Sequence, residues 1–167
     1  MDIISHGLYG GIAFGQKNKR DYWWSFVFGI APDFFSFGVF TAMTALGVSP
    51  RYVQLRNDAV SQYVHSLYNV THSLVIFAVV FLIVWTLHKK PFLPMLAWPL
   101  HILVDIPLHS TAFFPTPFFW PFFNNLRVNG IPWGEPIILI PNVILLVVLY
   151  SWLPAAARRR EEAGFLS

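Results

Sequence analysis

The sequence predicts an all-α protein, a polytopic membrane helical bundle with about four to five membrane-embedded segments plus one interfacial helix. Three observations carry that expectation. Of 167 residues, 56% are hydrophobic and only 11% are charged, against roughly 25% charged residues in soluble domains. Mean hydropathy is positive. Apolar runs alternate with short basic clusters at Lys17, Lys19 and Arg20, at Lys89 and Lys90, and at Arg158 to Arg160. The chain, 1–167, reads as a single integral-membrane domain.

The first segment, about 3–15, is short and rich in glycine at Gly7, Gly10, Gly11 and Gly15, which suits close packing between helices. The second, about 22–46, is long enough to cross a bilayer with tilt and carries Ala31-Pro32-Asp33, where proline is expected to kink it. Residues about 51–70 interleave Arg51, Arg56, Asp58, Gln62 and His65 with apolar positions, the pattern of an interfacial amphipathic helix. Nearly pure aliphatic sequence over about 73–87 and a proline-punctuated run over about 91–108 give two further segments. An aromatic loop at 111–136 holds six phenylalanines and five prolines, and suits the headgroup level. The last segment spans about 136–153. The start, Met1-Asp2-Ile3-Ile4-Ser5-His6, lacks the basic opening of a signal peptide and is expected to be retained.

Lysine and arginine concentrate in loops that stay cytoplasmic. Three basic clusters agree on one orientation, with segment 3–15 running inward, 22–46 outward, 73–87 inward, 91–108 outward and 136–153 inward; Arg51 and Arg56 point the other way. On that topology, at about 1.5 Å per helical residue, His6, Asp33, His72, His101, Asp105 and His109 all fall in the outer half of the bilayer. Charge set the topology, so the convergence is independent of it. His101 and Asp105 are four residues apart and share one helical face.

The absence of cysteine excludes disulfides, thiolate metal sites and a cysteine nucleophile. Any metal is then held by those six residues, with Zn²⁺ favoured by the imidazoles and Mn²⁺ or Fe²⁺ as alternatives, as one or two ions. A divalent ion with an open position acidifies water and polarises a phosphoryl oxygen, making hydrolysis the expected chemistry, with Asp33 and Asp105 as the catalytic carboxylates. Arg127 and Asn124 are candidates for a phosphate or lipid-headgroup contact. The small net charge of +3 sits in flanking clusters, so no nucleic-acid partner is expected. Membrane lipid and an amphiphilic substrate are the expected partners. The alternative is a metal-ion or proton transporter, or a non-catalytic scaffold, using the same polar cluster.

His6, Ala31-Pro32-Asp33, Thr71-His72-Ser73-Leu74, His101-x-x-x-Asp105 and Trp120-Pro121-Phe122 together resemble the bacterial membrane-bound metal-dependent hydrolases of the inner-membrane, LexA-binding type. The likeness covers most of residues 1 to 123. It implies a bacterial inner-membrane location, with the site toward the outer side. The order of His, Asp, His, His-x-x-x-Asp and a further His is also similar to zinc-dependent phospholipase C and P1-type nucleases, which implies phosphodiester cleavage. One departure is Leu67-Tyr68, where relatives carry His-Arg.

Overall fold

The computed structural model describes residues 1–38, 42, 45–47, 62–112 and 114–165, and these contain helices and loops but no strand. They divide into two compact units, Met1–Trp133 and Gly134–Ser167.

In the first unit, α1 (Ile3–Phe14) begins at Asp2, whose carboxylate accepts from the Ser5 amide at 2.9 Å. Helix α2 (Lys19–Asp33) begins at Asn18, whose side chain accepts from the Asp21 amide and donates to its carboxylate at 3.0 Å. That reciprocal pairing satisfies donors the first turn leaves free. The two helices pack where their glycines meet. A Cβ on Gly29 would lie 2.5 Å from the His6 carbonyl oxygen and 3.0 Å from Gly7 Cα, and one on Gly10 would lie 2.6 Å from the Ser25 carbonyl oxygen. Only hydrogen side chains allow backbones this close.

The expected proline kink takes a different form. Pro32 stays inside α2, and the chain then changes to a π-helical turn, Phe34–Gly38, in which the Ser36 hydroxyl donates to the Pro32 carbonyl at 2.9 Å. The rest of the 22–46 segment is only partly covered, since 39–41, 43 and 44 lie outside the described residues. The interfacial helix expected at about 51–70 is seen as α3 (Gln62–Thr71); 51–61, with Arg51, Arg56 and Asp58, lie outside the described residues. Phe113 of the aromatic loop does as well.

Helix α4 (Leu74–His88) follows α3 at a bend of 61° centred on His72 and Ser73. Ser73 caps α4, accepting from the Val75 and Ile76 amides at 3.2 Å, and donates its hydroxyl to the Trp120 carbonyl. A 3-10 turn, Leu93–Leu96, leads into α5 (Ala97–Leu108). The aromatic loop has no regular element, but it closes over the end of α5. Amides of Gly130, Ile131 and Trp133 donate to the carbonyls of His109, Pro107 and Leu108 at 2.9, 3.0 and 3.1 Å. These bonds satisfy carbonyls that the helix end leaves free. A buried cluster of Val64, Tyr68 and Phe114, with Phe37 against it, joins α3, the π-turn and the loop.

The second unit holds α6 (Pro136–Phe165). Its stretch Pro136–Leu153 is long and apolar enough to cross a membrane. Val64–Thr71 and Leu74–His88 reach that length only as one bent pair, and Ile3–Phe14 and Leu93–Leu108 are shorter apolar helices.

Gly29→Ala should cost about 1–3 kcal/mol of stability by overpacking α1 against α2. Gly134→Ala, whose added Cβ meets nothing within 4 Å, should change stability by under about 1 kcal/mol. Denaturant melts in detergent measure both.

Candidate metal centre

The local chain geometry explains how each polar side chain reaches a common point. His6 leaves the second turn of α1, Asp33 ends α2, His72 sits at the α3–α4 bend, and His101 and Asp105 share the inner face of α5. His109 follows α5 in extended conformation, held there by the loop amide of Gly130. All six residues proposed from sequence as ligands therefore converge. One donor atom each from His6, Asp33, His101 and Asp105 lies within 4.8 Å of the others, and all four residues are buried.

The distances have the scale of a shared coordination sphere. His6 Nε2 is 2.9 Å from Asp105 Oδ1, and His101 Nε2 is 3.1 Å from Asp105 Oδ2. His72 Nε2 stands 3.1 Å from His101 Nε2, 3.4 Å from Asp33 Oδ1 and 3.7 Å from Asp105 Oδ2. His109 Nδ1 is 3.7 Å from Asp105 Oδ2. Two donors each about 2.1 Å from one ion stand about 3.0–3.4 Å apart at octahedral to tetrahedral angles. The Met1 amino group also donates to Asp105 Oδ1.

Hydrogen bonds at the far side of two rings fix their tautomers. His101 Nδ1 lies 2.7 Å from the Gly29 carbonyl, which only accepts, so Nδ1 carries the proton. The Thr71 hydroxyl donates to the Leu67 carbonyl at 2.9 Å and accepts from His72 Nδ1 at 3.0 Å. Both rings then turn a bare Nε2 inward, only 3.1 Å from each other. Facing lone pairs at that distance repel unless a cation or proton lies between them. Histidine metal ligands are held in this way, with the second ring nitrogen donating to an outer group.

Asp105 Oδ2 makes the same point from the acid side. It is buried and has no hydrogen-bond partner among the described residues, although three imidazole nitrogens lie within 3.7 Å. A carboxylate oxygen left so is costly without a cation. Asp33 and Asp105 also occupy the last turns of α2 and α5, where the helix dipole disfavours anions and favours cations. Helix stability does not place them there.

Rings brace the ligands. His6 stacks on His101 at 3.6 Å between centroids, and Tyr68 stacks on His72 at 3.8 Å. Tyr68 donates its hydroxyl to the Phe114 carbonyl at 3.0 Å and stands 3.4 Å from His109 Nδ1. Sequence reading met Tyr68 only as a departure from the resemblance's pattern, and missed Gly29 and Thr116, the last of which lies 3.4 Å from His109 Nδ1. A buried tyrosine at helical spacing carries no signal beyond core packing.

Neither substrate candidate makes a hydrogen bond or ion pair to these ligands among the described contacts. Asn124 is exposed, and half-buried Arg127 donates to the Leu126 carbonyl at 3.0 Å. Partial burial lowers the Arg127 guanidinium from its usual pKa, and proximity to Tyr68 opposes that shift. His65, half-buried on α3, stacks on Phe114 at 4.6 Å.

Comparison with protein-family models, curated proteins and solved structures gives no match.

Thr71→Val removes the acceptor for His72 Nδ1 while keeping the side-chain shape. Metal affinity should fall about 10–100-fold, read by competition with a chromophoric chelator, with the melting transition nearly unchanged.

Proposed function

We propose that this chain is an integral-membrane, metal-dependent hydrolase of phosphoester-bearing amphiphiles. The observation that carries the reading is the convergence of His101 Nε2 and His72 Nε2, at 3.1 and 3.7 Å, on the fully buried Asp105 Oδ2. His6, His72, His101 and Asp105 would hold zinc, with Asp33 and His109 completing the set. The ion supplies a Lewis acid that polarises a phosphoryl oxygen and acidifies water.

The two carboxylates divide the remaining work by burial. The Asp105 side chain is fully enclosed, whereas that of Asp33 keeps 12% exposure. Asp33 is thus the base open to reactants. Water forms the new bond to phosphorus, its proton passes to Asp33, the phosphorus–oxygen bond to the leaving alcohol breaks, and Asp33 returns the proton to that alkoxide.

Membrane embedding is supported by the helix Pro136–Leu153, by the bent pair of α3 and α4, and by apolar side chains exposed along α4, including Val79, Leu82, Ile83 and Leu87. Patches of that kind mark contact with lipid or partner surfaces. With the basic clusters inward, the centre opens toward the outer side of a bacterial inner membrane, in keeping with the resemblance to membrane-bound metal-dependent hydrolases.

Elemental analysis of detergent-purified protein should find zinc in the wild type and little in the double variant His101→Ala/Asp105→Ala. Asp33→Asn should lose about 10²–10⁴ of turnover on a phosphodiester lipid in mixed micelles while keeping its fold. Metal near zero in both wild type and double variant would sink the reading. Zinc or proton movement across sealed vesicles without lipid hydrolysis would replace it with transport.

A further inference from the structure

A second site lies at the opposite end of α2. Arg20, Trp24, Val84, His88, Lys90, Pro91 and Phe92 enclose a cavity of about 440 Å³. The side chains come from the first turn of α2, the last turn of α4 and the connector that follows. Lys89 ends α4 in the left-handed conformation, with φ 56°, and this turns the chain so that Lys90 comes back over the cavity. A non-glycine residue costs about 1 kcal/mol in that conformation. Stability alone would favour glycine or asparagine here.

The cavity has a cationic rim and an aromatic floor. Arg20, Lys90 and His88 carry the rim. Trp24 and Phe92 form the floor, and Phe28 backs both rings, with centroids 6.0 to 6.1 Å apart. The nearest acid in sequence, Asp21, does not line the cavity and is engaged with Asn18. A groove of about 260 Å³ adjoins it, sharing Arg20 and Trp24 and continuing over Trp23 and Val27. Trp23 and Val27 are exposed, as are Leu87 and Leu93 nearby in sequence. The site thus joins a place for an anion to a place for a hydrocarbon chain.

We propose that this paired cavity holds one anionic phospholipid, its phosphate among Arg20, His88 and Lys90 and an acyl chain along Trp23, Trp24 and Val27. Arg binds phosphate oxygens through its planar fork and Lys as a point charge. Trp at the membrane interface and cations on its cytoplasmic side are the features that fix a lipid headgroup at that depth. A free phosphate ion would use the rim but has no use for the groove. The proposal borrows only membrane embedding from the reading above, and is independent of the metal centre.

Native mass spectrometry of the full chain, released from detergent with phosphatidylglycerol or phosphatidylcholine of matched chains, tests it. The wild type should retain phosphatidylglycerol about tenfold or more over phosphatidylcholine, and Arg20→Gln/Lys90→Gln should abolish the preference. Arg20→Lys, which keeps the charge, should retain most of it and guards against loss by misfolding. Equal retention of both lipids by the wild type, an undiminished preference in the double variant, or displacement of phosphatidylglycerol by millimolar inorganic phosphate would each overturn it. Asp33→Asn, which keeps the fold, should leave lipid retention intact while lowering turnover, so failure of the hydrolase reading and failure of this one are separately visible.

Discussion

The Asp105 carboxylate is the point on which the first unit depends. It has no side-chain exposure, and it is approached by nitrogens from α1, from the α3–α4 bend, from its own helix and from the residue after α5. Burying an ionised carboxylate costs several kcal/mol even after relaxation. Among the described residues, no lysine or arginine side chain pairs with it. Four segments must therefore hold their imidazoles around one anion. The glycine packing, the serine and threonine bonds and the loop over α5 all serve that requirement.

Gly29 shows how closely fold and site are joined. Its missing Cβ lets α2 approach the His6 backbone, and its carbonyl takes the proton of His101 Nδ1. One residue thereby sets the distance between α1 and α2 and the tautomer of a histidine on α5. Thr71 acts in a similar way at the bend. Its hydroxyl orients His72, its carbonyl accepts from Trp98 Nε1 at 2.7 Å, and the next residue but one, Ser73, starts α4. Substitutions at either position would move ligands without removing one, which separates positioning from ligation.

Much of the centre was legible in the sequence because ionisable residues in an apolar chain need partners. His101 and Asp105 announced themselves by i, i+4 spacing, and His6, Asp33, His72 and His109 followed from depth along the expected helices. Position along an expected helix is a one-dimensional quantity, so the clustering it suggested is found although the helices break elsewhere than expected. Those breaks were harder to see. Pro32 was expected to kink α2, yet the π-turn that follows depends on how Ser36 and the aromatic cluster pack. The sharp bend at His72 and Ser73 lay hidden between a polar and an aliphatic run. The contacts of Tyr68 were hidden for a different reason: its hydroxyl reaches residues far away in sequence, Phe114 and His109.

The length of α2 links the two ends of the molecule. Arg20 and Asp33 are 13 residues apart on one helix, which puts about 20 Å between the basic cavity and the histidine cluster. A hydrocarbon core is about 30 Å thick. On the proposed embedding, a headgroup held by Arg20 at the inner boundary therefore leaves the centre inside the bilayer's depth, short of the far surface. Water-soluble substrates would have to leave water to reach it, whereas an amphiphile would bring its phosphoester down from the adjoining headgroup layer. The same helix carries a cation at its N-terminal end and a carboxylate at its C-terminal end, the reverse of what its dipole favours. On the two proposals above, a membrane phosphate would pair with the cation at one end and a metal ion with the carboxylate at the other.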